Sequence, residues 1–230
     1  MSNQYVIPPP AVPSLAVRGS HGCFPVHRIY CVGRNYAAHA IEMGHDPDRE
    51  PPFFFQKNPD TLLPAGGDFP YPDKSEDVHY ELELVVALAS GGKDIPQARA
   101  LDCVFGYAVG LDMTRRDLQG QAKKMGRPWD VGKAFDYSAP CSDIVPVEAI
   151  GHPDTGNVWL KVNGEIRQNG DLNQMIWKVP EIIAYLSGLF TLAPGDLIFS
   201  GTPAGVGATV RGDKLHGGVD GVAELEISVV

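Results

Sequence analysis

Apolar and polar residues alternate most sharply over residues 78–88, VHYELELVVAL, where Tyr80, Leu82 and Leu84 share one parity and Glu81, Glu83 and Val85 the other. A repeat of two marks a β-strand, whose successive side chains point to opposite faces. Shorter apolar runs predict further strands: VHRIYCVG at 26–33, closed by Gly33; FFFQK at 53–57; VFGYAVGLDM; one within LAPGDLIFSGTP; and a last one in AELEISVV. WLKVNGEIRQ reads as a hairpin turning at Asn163 and Gly164, residues that tolerate the positive φ of a two-residue turn. Gly91 and Gly92 mark another turn. Helices are expected in NYAAHAIEMG, with Asn35 as cap and Gly44 as stop, at about 96–101, from Thr114 through TRRDLQGQAKKMG, and at about 178–188. Pro8, Pro9, Pro10 and Pro13 oppose helix. Residues 1–25 are therefore expected to form an extended, Pro-rich arm lying over the surface or on a partner subunit, with 26–230 as one domain. Strands outnumber helices, so the expected class is α+β and β-rich.

The 230 residues can bury a sizeable core, and 43% hydrophobic with 20% charged residues is ordinary for a globular chain. A net charge of -9 disfavours nucleic acid as a partner, since a polyanion needs a positive face. A small anion remains compatible, because a cation or a few Arg and Lys residues can reverse the field within one cleft. Cys23, Cys31, Cys103 and Cys141 lack zinc-site spacing and read as idle thiols in a reducing compartment. No basic stretch precedes an apolar run at the N-terminus, and no segment has the ~20 apolar residues of a membrane helix. The expected location is cytoplasmic.

The strand pattern places Glu81 and Glu83 on one face, flanked by apolar residues. Carboxylates so placed repel unless one is protonated or a cation lies between them. An exposed edge strand would carry the same pattern. The balance is shifted by Asp112, at the end of a second apolar strand and followed by Thr114, Arg115 and Arg116. Three hard oxygen donors suit Mg²⁺, Mn²⁺ or Ca²⁺ and not zinc. His39 and Glu42 stand three apart on a predicted helix, where a carboxylate can orient an imidazole as a base. By spacing alone the simpler reading is a solvated pair, and the same holds for Lys133 in DVGKAFD, for Arg115 and Arg116 beside Asp117, and for Lys123 and Lys124. The run GTPAGVGATVRGD lacks the ending of a phosphate loop and reads as a tight turn whose backbone donors and Thr202 hydroxyl could meet a carboxylate.

The series RNYAAHAIEMG, FFFQKNPDTLLP, YELELVVAL, GYAVGLDMTRRDLQ, GRPWDVGKAFDYSAP, VNGEIRQNG and LAPGDLIFSGTPAGVG resembles the fumarylacetoacetate hydrolase family from about residue 26 to the C-terminus. FPVHRIYCVGRNYAAHAIEMG and PDREPPFFFQKNPD are most similar to its acylpyruvate hydrolases, in particular those acting on fumarylpyruvate in the gentisate route of aromatic catabolism. The resemblance implies a mixed β-sandwich roll of the family's C-terminal-domain type, a homodimer, and a small keto acid substrate cleaved at a carbon–carbon bond with Mg²⁺ or Mn²⁺. It implies Glu81, Glu83 and Asp112 as metal ligands, and His39 and Glu42 as the pair that handles water on a lid. It also implies Arg34, Lys57, Arg116, Gln119, Lys133 and Thr202 as substrate contacts, and in the mechanism expected for such a site Lys133 is a catalytic residue that helps stabilise the enolate charge. Decarboxylation of oxaloacetate, or keto–enol isomerisation or hydration on the same scaffold, is the competing reading. A non-catalytic module that binds a small acid stands further off.

Overall fold

The structure, a computed structural model, describes residues 5–42 and 50–230. Gly44, the expected helix stop, lies outside the described residues. The main sheet is mixed and follows the order Phe53–Lys57, Arg28–Gly33, Asp196–Phe199, Leu82–Leu88, Val104–Leu111, Ala139–Cys141, Leu62–Pro64, with Val145–Pro146 also on Val104–Leu111. A second, antiparallel sheet runs Glu165–Asp171, Asn157–Val162, Lys214–Val219, Ala223–Ser228. The sequence-predicted hairpin is its first pair, with Asn163 at φ 52° and Gly164 at φ 85°.

The two sheets face each other as a sandwich. Leu82, Leu84 and Val86 from the main sheet share one buried cluster with Val158, Leu160, Leu215 and Leu225 from the second. Residues of the other parity, Val85 and Ala87, pack with Ile29, Cys31, Ala108 and Phe199 in a separate cluster. All seven residues of Leu82–Leu88 are buried, so this strand is covered on both faces. That rules out the exposed edge strand as an explanation of its glutamates.

The central pair of strands does not stop where the main sheet ends. Val78–Tyr80 and Thr114–Arg115 pair with each other and, with Gly207–Thr209, make a small third sheet. The chain crosses between sheets at Glu81 on one strand and at Asp112 and Met113 on the other. Asp112 N–H donates to Glu81 C=O at 2.8 Å, so the two corners lie side by side. The run expected as one strand over 78–88 is thus two strands hinged at Glu81. The helix expected from Thr114 begins at Arg116, because pairing with Val78–Tyr80 claims residues 114 and 115.

The segment expected as an arm divides. Residues 5–12 are exposed, whereas Ser14–Ala16 pairs with Cys23–Pro25 and buries Leu15 and Phe24 against the second cluster. Asn35 does not cap the helix Ala37–Glu42. It is fully buried, donates to Trp177 C=O and Ser200 C=O, and accepts from Trp177 N–H at 2.7 Å. A side chain amide that satisfies three backbone groups far along the chain outcompetes a local cap. The short helix expected at 96–101 is a 3-10 helix, Gln97–Cys103.

Candidate metal centre and active-site cleft

The sheet corners bring three acids together. One carboxylate oxygen from each of Glu81, Glu83 and Asp112 lies within 4.8 Å of the others, and the residues are 5%, 2% and 1% exposed. Glu81 and Asp112 are the corner residues themselves, and Glu83 is two positions along the same strand, on the same face. Glu83 Oε2 accepts from Gly201 N–H at 2.7 Å, a donor on the loop after Asp196–Phe199.

Cations surround the acids unevenly. Lys133 Nζ donates to Glu81 Oε2 at 2.8 Å, to Asp112 Oδ2 at 2.7 Å and to Thr114 Oγ1 at 2.7 Å. Arg116 donates to Glu81 Oε1 through Nη2 and to Gln119 Oε1 through Nη1. Lys57 Nζ stands 2.9 Å from Asp112 Oδ1, at an angle that leaves this buried oxygen without a hydrogen bond. Burial raises the Glu81 carboxyl, but Lys133 and Arg116 more than offset that and hold it below the usual carboxylate range. Burial, then Asp112 and Glu81, push Glu83 well above that range, and the Gly201 N–H and the more distant charge of Lys133 oppose them only in part. Burial lowers the Lys133 ammonium, and Asp112 and Glu81 raise it beyond its ordinary value. A divalent cation fits this donor set. Glu83 has no cationic hydrogen-bond partner among the described residues, Asp112 Oδ1 has no hydrogen bond, and all three donors are hard oxygens.

His39 lies in the same cleft. The lining comprises Val32, Gly33, Arg34, His39, Phe53 and Phe55 together with the acids, Arg116, Gln119, Lys123, Trp129, Lys133 and Thr202. The imidazole is 7% exposed, and its Nδ1 is 3.2 Å from Glu42 Oε2. Glu42 in turn accepts from Gly205 N–H, which ties the short helix to the 201–205 loop. The imidazole is therefore not solvated, while Glu42 reaches it from the exposed side of the helix. Arg34, at φ 56°, stacks 5.1 Å from the Phe53 ring and is 3.9 Å from Glu50.

Not every expected contact faces the cleft. Lys57 is absent from the lining. Its side chain is wholly buried, donates to Met113 C=O and Lys133 C=O, and stands against Asp112 behind the lining residues. Lys133, which spacing alone marked as a surface residue, is 2% exposed. Lys123 is not simply solvent-facing, since it lines the cleft with its ammonium 4.9 Å from the Trp129 ring. Arg115 turns away and stacks 4.3 Å from Phe135, while Arg116 faces the acids. The Thr202 hydroxyl donates to Leu82 C=O at 2.8 Å, which leaves only its acceptor capacity for other partners.

One buried residue went unnoticed in the sequence. Gln168 is fully buried and bonds Leu82 N–H, Thr202 Oγ1 and Pro203 C=O. In the sequence it stands between two other polar residues, Arg167 and Asn169, and nothing local sets it apart from them.

Comparison with known proteins agrees with this architecture. Residues 28–230 match the family model for the fumarylacetoacetate (FAA) hydrolase C-terminal region. The fumarylpyruvate hydrolase of a Ralstonia species is 46% identical over 189 residues, 81% of this chain and 98% of that protein. A mitochondrial oxaloacetate tautomerase of Rattus norvegicus is 45% identical over 201 residues, 87% and 90% of the respective chains. The crystal structure of a fumarylpyruvate hydrolase from Pseudomonas aeruginosa, in complex with Mn²⁺ and pyruvate, superposes with a TM-score of 0.96 at 53% identity over 99% of both chains. With its two facing sheets and a family match over nearly its whole length, the chain belongs to the fumarylacetoacetate hydrolase family.

Proposed function

We propose that the protein is a metal-dependent hydrolase that cleaves the carbon–carbon bond of an acylpyruvate, with fumarylpyruvate giving fumarate and pyruvate as the favoured reaction. One observation carries this reading: three buried carboxylates and a carboxylate-oriented histidine open onto the same cleft. Mg²⁺ or Mn²⁺ held by Glu81, Glu83 and Asp112 would supply Lewis-acid polarisation and a template for the pyruvoyl oxygens.

The chain's own groups account for the remaining steps. Glu42 engages His39 Nδ1, which leaves Nε2 to take a proton from water. That water attacks the C4 carbonyl. The C3–C4 bond breaks, the acid departs, and C3 keeps the electron pair as the enolate of pyruvate until it is protonated. Arg116 and Lys133 place two positive charges beside the acids, where they offset negative charge growing on the pyruvoyl oxygens. Gln119, oriented by Arg116, is suited to hold the substrate. Arg34, which also lines the cleft, is suited to the distal carboxylate. Thr202 would contribute as an acceptor or through its backbone.

The further expectations of a homodimer, a cytoplasmic location and a place in gentisate-type catabolism belong to this proposal. Three buried, unpaired cysteines are compatible with a reducing compartment, and among the described residues no helix is long and apolar enough to cross a membrane.

A second reading is favoured by the rat relative: tautomerisation of oxaloacetate uses the same pyruvoyl grip and needs no attacking water. The deciding assay follows loss of enol absorbance for fumaryl-, maleyl- and acetylpyruvate and for oxaloacetate, with Mg²⁺ or Mn²⁺, while pyruvate is measured separately. Fumarylpyruvate is expected to yield one pyruvate and one fumarate per turnover. Oxaloacetate enol decay with no pyruvate from any acylpyruvate would replace hydrolysis by tautomerisation.

A further inference from the structure

Gln168 belongs to Glu165–Asp171 in the second sheet, which contributes no described residue to the cleft lining. Its side chain nonetheless reaches Leu82, between the hinge residue Glu81 and Glu83. Gln168 Oε1 accepts from Leu82 N–H at 3.0 Å, and its Nε2 donates to Thr202 Oγ1 at 2.7 Å and to Pro203 C=O at 2.9 Å. The Thr202 hydroxyl in turn donates to Leu82 C=O at 2.8 Å. Both backbone polar groups of Leu82 are therefore held by side chains, at the place where the strand leaves one sheet for another.

Leu82 is the residue between Glu81 and Glu83. Its N–H belongs to the peptide plane shared with Glu81, and its C=O to the plane shared with Glu83. Clamping both planes fixes the rotation of one acid's Cα relative to the other's. The same amide anchors residues 202 and 203, next to the Gly201 N–H that donates to Glu83. We propose that Gln168 is a positioning residue of the metal centre, setting the relative placement of the Glu81 and Glu83 carboxylates from the opposite sheet. This rests on the reading of those acids as metal ligands. Without the amide, buried Leu82 N–H loses its partner and Thr202 loses a donor, so the 81–83 segment and the loop must turn to find others.

The test is Mn²⁺ affinity of the metal-free protein, measured by calorimetry well below the unfolding midpoint, for wild type, Gln168→Met and Ile182→Ala. Ile182 is a buried helix residue of the core and controls for lost stability alone. Gln168→Met is expected to bind Mn²⁺ at least tenfold more weakly, with a changed Mn²⁺ resonance spectrum, while Ile182→Ala stays within twofold of wild type. A folded Gln168→Met within twofold of wild type overturns the inference and leaves the metal centre standing. Should the methionine variant fail to fold, Gln168→Asn keeps an amide but withdraws it by one methylene, and the same tenfold and twofold limits apply. Absence of Mn²⁺ binding by wild type would remove the metal centre and this inference with it.

Discussion

At the scale of single residues, the two halves of the site make separable predictions. Glu83 is an acid that burial and two neighbouring carboxylates leave electrostatically uncompensated. Glu83→Ala is expected to weaken Mn²⁺ binding by at least ~100-fold, since alanine offers no donor atom. Calorimetry measures this directly, and unchanged affinity would remove Glu83 from the ligand set. His39→Ala is expected to lower kcat by about 10²–10⁴-fold, the usual span for loss of a general base, with Mn²⁺ affinity within threefold of wild type. Undiminished release of pyruvate from fumarylpyruvate by that variant would remove His39 as the base that activates water. The lysines show what spacing cannot convey. Lys57 closes an apolar strand and Lys133 follows a loop, and neither position in itself marks a buried ammonium, yet each is enclosed and paired with Asp112. A buried ammonium is tolerable only where anions already converge, and that convergence belongs to the fold, not to either lysine's neighbours.

At the scale of elements, the central strands decide how the site is built. The alternation over 78–88 correctly assigned Glu81 and Glu83 to one face, because side-chain parity survives the bend at Glu81. The bend itself was illegible. It arises because Val78–Tyr80 finds partners in Gly207–Thr209 and Thr114–Arg115, more than 30 residues away, and pairing energy overrides local continuity. Gly110 stands opposite Glu83 on the neighbouring strand. A Cβ there would lie 2.6 Å from the Phe199 ring and 2.8 Å from Val85 Cγ2, both in buried side chains. Gly110→Ala is expected to cost about 1–3 kcal/mol of stability by overpacking. Chemical denaturation with an unchanged midpoint would show that the strand pair can give way there. The turn at 163–164 and the helix Val179–Leu189 were readable because their signals are local: positive φ for Asn163 and Gly164, and a compact apolar run for the helix.

At the scale of the whole molecule, a cation at the sheet corners would tie together segments distant in sequence and so stabilise the native state. At Mn²⁺ concentrations ~100-fold above Kd, linkage contributes about 2.7 kcal/mol, or a rise in Tm of roughly 5–10 °C for a chain of this size. Thermal melts in Mn²⁺ and in chelator would register it, and coincident melts would argue against a cation held only by the native fold. The sequence by itself determined the β-rich class, most strands, the three acids, the His39 and Glu42 pair and the family, because periodicity and long motifs are written in neighbouring residues. Tertiary structure alone decided that Glu81 and Asp112 meet as paired corners, that Lys57 is buried against Asp112 and outside the cleft lining, and that Gln168 reaches across from the facing sheet. The physical reason is that each of these depends on which distant backbone groups a buried polar atom finds, a competition settled only when the sheets have packed.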